Sequence, residues 1–402
     1  TKVESWLANV YSRIPNPGND WLNTYGWEVF ADDLTASARW QQWDWPNITK
    51  IFGGWTPNTQ WAGNFWDGLP RKIRQAYIFI ERVHALPDSD LPQREVDYMK
   101  AEARFLAAYY WWQLLETYGP IPFRPNYIAP TDFTLSDLMV GQRPFDEIVS
   151  HLDNEMLEAS KQLPAVWQSV EKYGRITSVM CLTVRAKMLL FAASPLVNGN
   201  EWYAGFKNYD GKFRFSQTYD PAKWKRAADA NRELIEAAHA AGHDLVREYN
   251  ADGSIDPFMS CYNVFFLRGD QNPEALFIRS DCNFSEFEKH ATPRGASGNG
   301  GLGVYQTLVD AFAMKDGSLP ITGYDGNYGK PIINKESGYT ERGFSAQKDI
   351  RKTKYNLYRN CPGATVDSVG ADGCTYNQVA ASGTYNMYVG REPRFYLTVM
   401  WN

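Results

Sequence analysis

The sequence predicts an all-α fold, in which a helical-repeat scaffold carries long irregular loops. Five long segments between about residues 66 and 242 have apolar residues at the helical spacing of three and four positions. Their connections suit antiparallel pairing of neighbouring helices, which is typical of helical repeats, although no strict sequence period is present. From Gly242 onward, Gly, Asn, Asp, Ser and Tyr dominate, so we expect the helices there to be short.

The five predicted helices cover residues 66–83, 93–118, 143–163, 176–194 and 221–241. The second is ended by Gly119, which is followed by proline, a strong stop signal. Its apolar stripe, which we expect to be buried, consists of Val96, Met99, Ala103, Leu106, Tyr110 and Leu114. For the fifth helix we expect Asp220 as the N-cap, Pro221 at the first helical position and Gly242 past the end.

The composition is that of a globular protein, and it excludes several classes of function. The chain has 402 residues, 44% of them hydrophobic, and a net charge of −5 without a basic run, so nucleic acid is not expected as a partner. No stretch of eighteen or more apolar residues occurs, so no membrane-spanning helix is predicted. Motifs of hydrolases, metalloproteases and nucleotide-binding enzymes are absent, and we predict no catalytic residue, metal site or cofactor.

The five cysteines lack the spacing of a metal site. Cys361 and Cys374 bracket a loop that contains Gly and Asp, and a disulfide between them would fit an oxidising or cell-surface setting. Two unpaired thiols are the alternative, and the sequence leaves both open.

Aromatic residues are dense near the N-terminus, where Arg39 to Trp61 reads RWQQWDWPNITKIFGGWTPNTQW. Five tryptophans lie in these 23 residues, and the prolines and the Gly53-Gly54 pair exclude one regular helix or strand. Tryptophan and tyrosine in loops can cover the apolar C–H face of a sugar ring, while amides and charged groups meet its hydroxyls. Packing beneath a long loop is the alternative use of these side chains.

We therefore predict a ligand-binding surface built from two irregular regions, about residues 20–65 and 245–402, that are displayed on the scaffold of about residues 66–242. The predicted ligand-binding residues are Asp32, Asp33, Arg39, Trp40, Trp43, Trp45, Trp55 and Trp61 in the first region, and Phe284, Arg294, Asn299 and Tyr305 in the second. By contrast, we assign to the core the aromatic residues Tyr77, Tyr109, Tyr110, Trp111 and Trp112.

Several segments, in order along the chain, resemble the SusD/RagB family. Ala101 to Phe123, AEARFLAAYYWWQLLETYGPIPF, is similar to the signature helix of the family and the Gly-x-Ile/Val-Pro turn after it. Arg175 to Leu196 and the later sequence DPAKWKRAADANRELIE resemble the next two helices. LVDAFAMKDGSLP and REPRFYLTVMWN are similar to the Phe-x-Met-x-Asp-Gly and Asp-Pro-Arg-Phe segments of the family.

The resemblance implies tetratricopeptide-like helix pairs within a single SusD-like domain at residues 1–402. It also implies a non-catalytic lipoprotein on the surface of the Bacteroidetes outer membrane, which captures oligosaccharides or polysaccharides and delivers them to a SusC-type TonB-dependent transporter. The lipid-bearing cysteine of the family is not present in this chain. The family normally continues past the Pro-Arg-Phe segment, so we expect its C-terminal helices to be absent here.

Two other functions compete with glycan capture. The first is peptide capture by a RagB-like protein of the same transporter class, and the second is a secreted glycoside hydrolase. Peptide capture would not need a tryptophan-rich segment, so the aromatic density favours glycans.

Overall fold

A computed structural model describes the chain at residues 2–15, 31–37, 56, 65–86, 91–279, 285–326, 329–355, 363–365, 368–370 and 375–401. The contacts divide the chain into two compact units. Unit 1 comprises Thr1–Asn16, Gly63–Asp244 and Ala275–Ser280, and unit 2 comprises Pro17–Ala62, Leu245–Glu274 and Asp281–Asn402. Whether both units form one SusD-like domain remains a prediction.

Unit 1 is built from α-helices that follow one another along the chain. They are α1 (Lys2–Tyr11), α2 (Leu69–Arg82), α3 (Gln93–Tyr118), α4 (Leu135–Leu138), α5 (Phe145–Gln162), α6 (Ser178–Ala193) and α7 (Ala222–Ala240). Helix α2 packs on α3, α3 on α5, α5 on α6 and α6 on α7, while α1 packs on α2 and α3. Each long helix thus contacts the next one along the chain, and the predicted all-α fold is confirmed.

The five predicted long helices are all present, and their ends lie within three residues of the predicted ones. Helix α3 stops at Gly119, whose φ is 71° and whose N–H donates to Leu115 O at 2.9 Å. The predicted apolar stripe of α3 is buried, with every member at most 1% exposed. Of the aromatic residues that we assign to the core, Tyr77, Tyr110 and Trp112 are buried, whereas Tyr109 and Trp111 are half-buried.

The start of α7 differs from the prediction by one residue. The helix begins at Ala222, and Pro221 rather than Asp220 is the N-cap. The Asp220 carboxylate still accepts a hydrogen bond from Ala222 N, at 2.9 Å from Oδ1, because the first turn leaves that N–H without a helical partner. At the other end Gly242 lies past the helix with a φ of 91°, as predicted.

Partly buried ion pairs join successive helices of unit 1. Arg104 of α3 contacts Glu155 of α5, with 2.7 Å between Nε and Oε2. Arg185 of α6 contacts both Asp153 of α5, at 2.6 Å, and Glu233 of α7, at 2.7 Å. Because these ion pairs join neighbouring helices, they fix the position of each helix along the axis of the next one. The attraction between the paired charges also stabilises unit 1.

Unit 2 contains short helices and two-stranded antiparallel ribbons. Its helices are α8 (Pro257–Phe266), α9 (Ser285–Ala291), α10 (Gln306–Ala311) and α11 (Pro393–Thr398). Its strands are β1 (Leu34–Ala36), β2 (Leu302–Val304), β3 (Ile321–Tyr324), β4 (Pro331–Ile333), β5 (Asp349–Ile350) and β6 (Gln378–Ala380). Strand β1 pairs with β2, β3 with β4 and β5 with β6.

The core of unit 2 forms around α8, α11 and β6. Its buried members are Phe258, Val309, Val379, Ala380, Phe395, Tyr396 and Val399. Asp256, fully buried at the N-cap of α8, accepts hydrogen bonds from Phe258 N and Met259 N and from the Thr353 hydroxyl. Within the described part of the chain, no helix combines the length and the apolar character needed to cross a membrane.

Candidate glycan-binding surface

Strands β1 and β2 bring the two irregular regions of the sequence together. They pair antiparallel along their whole length, and further backbone hydrogen bonds continue the ribbon at both ends. At one end Tyr305 N donates to Asp33 O at 3.0 Å. At the other end Ser37 N donates to Gly301 O at 2.8 Å. Residues that are about 270 positions apart in sequence therefore become neighbours.

Asp32, Asp33 and Tyr305 lie side by side at the first end of this ribbon. Asp32 is exposed, and Asp33 and Tyr305 are half-buried. The Thr307 hydroxyl donates to Asp32 O at 3.0 Å, which fixes the chain before β1 against the start of α10. This end of the ribbon thus combines two carboxylates with a phenol ring.

The turn that leads into β2 is held by its own backbone hydrogen bonds. Gly298 N donates to Pro293 O and Gly300 N donates to Thr292 O, both at 3.0 Å. A Cβ atom at Gly298 would lie 2.0 Å from Thr292 O, so only glycine fits there without a shift of the backbone. This tight turn determines where β2 begins.

Arg294 and Asn299 lie in the same turn, at the opposite end of β2 from Tyr305. Both are exposed, and Arg294 Nε donates to Asn299 O at 3.4 Å. The three residues of β2 alone span about 10 Å. The ribbon therefore places these two predicted site residues apart from the group formed by Asp32, Asp33 and Tyr305.

A buried carboxylate extends the surface next to Tyr305. Asp310, in α10, is 2% exposed, and its Oδ1 accepts a hydrogen bond from Gln306 Nε2 at 2.8 Å. Its Oδ2 accepts a hydrogen bond from the Tyr324 hydroxyl at 2.9 Å. Tyr324 ends β3 and is 41% exposed, so part of its ring faces solvent. The two donors hold Asp310 in place and attach the exposed phenol to α10.

Negative charge accumulates around Tyr324. Burial raises the pKa of Tyr324 to about 12, and the hydrogen bond to Asp310 and the charges of Asp310, Asp32 and Glu341 act in the same direction. Burial also raises the pKa of Glu341, where the Asp310 charge adds to the rise and Arg342 opposes it. Burial is the largest cause of both pKa shifts, and nearby carboxylates from separate segments add to each of them.

A buried arginine supports this surface from the core side. Arg391 is fully buried, and its guanidinium donates to Val309 O and, at 2.9 Å, to Phe312 O. It also lies 5.3 Å from the centroid of the Tyr339 ring. Burial lowers the pKa of Arg391, whereas the neighbouring Asp310 charge raises it. Arg391 thus anchors the end of α10 and supplies a positive charge behind Asp310.

The arrangement can bind a polar ligand that has an apolar face. The rings of Tyr305 and Tyr324 offer partly exposed aromatic area, and the Gln306 amide and the carboxylates of Asp32 and Asp33 offer hydrogen-bonding groups. Asp310 contributes charge rather than direct contact, because it is buried and both of its oxygens already accept hydrogen bonds.

Several predicted residues lie outside the described part of the chain. They are the ligand-binding candidates Arg39, Trp40, Trp43, Trp45, Trp55, Trp61 and Phe284, and the cysteines of the possible disulfide, Cys361 and Cys374. Their predicted roles stay predictions. Within the described ranges, Cys181 and Cys261 are free thiols, and no group of three or more His, Cys, Asp or Glu side chains is arranged to hold a metal ion.

Sequence analysis missed Gln306, Asp310, Tyr324 and Glu341. Gln306 and Asp310 are four residues apart on one helix, and a Gln–Asp pair at that spacing is a recognisable local signal. Tyr324 and Glu341 carry no such signal, because only the fold brings them to Asp310.

Family comparisons match most of the chain. Residues 1–190 match a family model described as SusD-like, starch-binding and associating with the outer membrane, and residues 267–402 match the SusD family model. The starch-binding protein SusD of Bacteroides thetaiotaomicron is 25% identical over 174 residues, a match that covers 43% of this chain and 28% of that protein.

Solved structures share the fold. The protein BT4246 superposes with a TM-score of 0.67 at 23% identity, and the match covers 98% of this chain and 64% of that one. A SusD-like protein from Bacteroides fragilis gives a TM-score of 0.59 at 16% identity, covering 98% of this chain and 59% of that one. The chain thus spans less than two thirds of the length of these relatives. Since both family models and the fold agree, the chain belongs to the SusD/RagB family.

Proposed function

We propose that this protein captures glycans at the surface beside the β1–β2 ribbon and that it acts by binding, without catalysis. The observation that carries the proposal is the pairing of β1 with β2, which sets Asp32 and Asp33 beside Tyr305. Two irregular segments, each predicted to contribute ligand contacts, thereby form one surface with aromatic rings and hydrogen-bonding groups.

The energetics of such a surface suit an oligosaccharide. A stacked sugar ring buries a few tens of Å² of apolar area, which contributes about 1 kcal/mol per ring. Micromolar affinity requires about 8 kcal/mol, so several ring contacts and a set of hydrogen bonds must act together. Tyr305 and Tyr324 account for two ring contacts. We propose that Trp40, Trp43, Trp45, Trp55 and Trp61, which follow β1 in the sequence, supply others.

The family supports the choice of ligand. The model that matches residues 1–190 is described as starch-binding, and the curated relative from Bacteroides thetaiotaomicron is named for starch binding. Both point to a carbohydrate rather than a peptide, in agreement with the aromatic density of the sequence.

We also propose that the protein works at the cell surface as a lipid-anchored partner of a SusC-type TonB-dependent transporter. The support is the family description, which associates these proteins with the outer membrane. The test is affinity purification of the tagged full-length protein from outer membranes in mild detergent. We expect a transporter of that class to co-purify in stoichiometric amount, and recovery of the protein alone would contradict the partnership.

The binding proposal is tested by titrating neutral oligosaccharides and, in a control arm, mixed peptides, by calorimetry and tryptophan fluorescence. We expect saturable binding of one glycan class. Tyr305→Ala and Tyr324→Ala should each weaken binding about fivefold, which corresponds to the loss of about 1 kcal/mol per ring. Tyr209→Ala is the matched control, since Tyr209 is a 90% exposed tyrosine of unit 1, and it should leave the affinity unchanged.

Three results would contradict the proposal. Saturation by peptides but not by glycans would indicate peptide capture. Loss of affinity in Tyr209→Ala as large as in Tyr324→Ala would show that the ligand binds elsewhere. Release of reducing ends from a polysaccharide, abolished by a single carboxylate substitution, would establish a hydrolase.

A further inference from the structure

The carboxylates at the candidate surface come from three separate segments. Asp32 and Asp33 precede β1, Asp310 lies in α10 and Glu341 follows β4 in the sequence. Hydrogen bonds fix three of these residues in position: Thr307 Oγ1 to Asp32 O, Tyr305 N to Asp33 O, and the side-chain donors to Asp310. The accumulation of carboxylates therefore results from the fold rather than from an acidic run of sequence.

Three of these carboxylates, Asp310, Asp32 and Glu341, act on a common point, the hydroxyl of Tyr324. Asp310 accepts its hydrogen bond at 2.9 Å, and Asp32 and Glu341 are close enough for their charges to raise the pKa of the phenol. Tyr324 is at the same time one of the partly exposed rings that a ligand would contact. A ligand bound at the Tyr324 ring is therefore exposed to the electrostatic potential of Asp310, Asp32 and Glu341 together.

The cations in the described part of the chain near the Tyr324 hydroxyl only partly balance the charges of these carboxylates. Arg391 is fully buried and directs its N–H groups to backbone carbonyls, so it offsets the charge of Asp310 without reaching the surface. Arg342 is exposed and lowers the pKa of Glu341. Within the described part of the chain, Asp32 and Asp33 remain without a balancing cation, and at the end of the ribbon Asp32 is exposed and Asp33 half-buried.

We infer that this surface selects uncharged glycans and rejects glycans that carry carboxylate or sulfate groups. The inference rests on the proposed function and adds the chemical class of the ligand. An anionic group about 8 Å from two unbalanced charges loses roughly fivefold in affinity at low salt, if the dielectric is close to that of water. The loss shrinks with salt, because the screening length falls to about 8 Å at physiological ionic strength.

The test compares polymers that share a backbone and of which one member of each pair carries carboxylate groups. Dextran, soluble starch and hydroxyethyl cellulose are each paired with the corresponding carboxymethyl polymer, and affinities are measured at low and high salt. For any backbone that binds, we expect the neutral polymer to bind roughly fivefold more tightly at low salt, with a smaller ratio at high salt. Asp32→Asn and Asp33→Asn should each reduce the ratio about twofold.

Asp229→Asn is the matched control, because Asp229 is an exposed carboxylate of unit 1, and it should leave the ratio unchanged. Equal or tighter binding of the carboxymethyl polymer at low salt would overturn the inference and leave glycan capture standing. A ratio that neither Asp32→Asn nor Asp33→Asn changes would also overturn it, since the selection would then arise elsewhere. Failure of every polymer to bind would overturn the proposed function and the inference together.

Discussion

Removal of the Arg175 side chain should destabilise unit 1 strongly, because it would leave a buried carboxylate without its charge partner. Glu102 of α3 is fully buried, and its two oxygens accept hydrogen bonds from Arg175, one of them from Nε at 3.1 Å. The Tyr11 hydroxyl donates to the same carboxylate and accepts from Ile176 N at 3.0 Å. The guanidinium also lies 4.8 Å from the centroid of the Trp167 ring.

Arg175→Ala should lower the free energy of unfolding by about 3 kcal/mol. Breaking a buried ion pair by removing one partner costs about 3–5 kcal/mol, because the remaining charge stays desolvated. We take the lower end, since the Arg175 side chain is 21% exposed and Lys172 also favours the charged form of Glu102. Arg175→Lys should recover part of the loss, because an ammonium restores the charge but not the two parallel hydrogen bonds.

The assay is urea unfolding of the full chain, followed by tryptophan fluorescence and circular dichroism. Arg143→Ala is the control. Arg143 and Glu147 form an ion pair at 3.7 Å in which both side chains are about half exposed. Removing this exposed pair should lower the free energy of unfolding by less than about 0.5 kcal/mol. The loss in Arg175→Ala should also shrink as the pH falls from about 8 to about 5. Burial already raises the pKa of Glu102, so without Arg175 the folded state takes up a proton more readily than the unfolded state.

Two outcomes would refute this reasoning. An Arg175→Ala variant within about 0.5 kcal/mol of Arg143→Ala would show that Glu102 does not depend on its ion pair. A loss that stays constant or grows on acidification would show that the buried charge of Glu102 is not its cause.

Two further predictions concern His151 and the turn before β2. Burial lowers the pKa of His151 below its ordinary 6.5, so the stability that the neutral ring contributes is present above pH 6.5 and is lost as the pH falls below it. His151→Gln should therefore flatten the decline of Tm between about pH 7 and pH 5, and an unchanged slope would contradict the assignment. Gly298→Ala should destabilise the protein by about 1–3 kcal/mol and weaken glycan binding, because the new Cβ would displace the turn at Thr292. Gly295→Ala is the control, because no atom lies within 4 Å of the added Cβ. The two variants are compared by thermal unfolding and by glycan titration, and equal effects would refute the steric argument.

The long helices could be predicted because their signals are local. The apolar stripe of α3 repeats at helical spacing, and Gly119 followed by proline ends it at the predicted residue. Helix α1 was not predicted, because it is short and its stability comes from packing. Leu7 and Val10 are buried against α2 and α3, and the Tyr110 hydroxyl donates to Val10 O.

The candidate site was predicted in part. Residue chemistry alone selected Asp32, Asp33 and Tyr305, and the fold places the three together. It also selected Arg294 and Asn299, which the β2 strand keeps at the other end of the ribbon. The difference lies in strand register, which depends on backbone pairing between distant segments and leaves no trace in local composition.

The sequence by itself determined the helical scaffold, the change to irregular structure after Gly242 and the kinds of side chain available for a ligand. These follow from periodicity, stop signals and composition, which act over a few residues. Tertiary structure alone decided that Asp310 is buried between Gln306 and Tyr324, and that Asp32 and Glu341 share its surroundings. These charges, which lie on three segments of the chain, come close together only in the folded protein, because electrostatic interaction depends on distance in space rather than along the sequence.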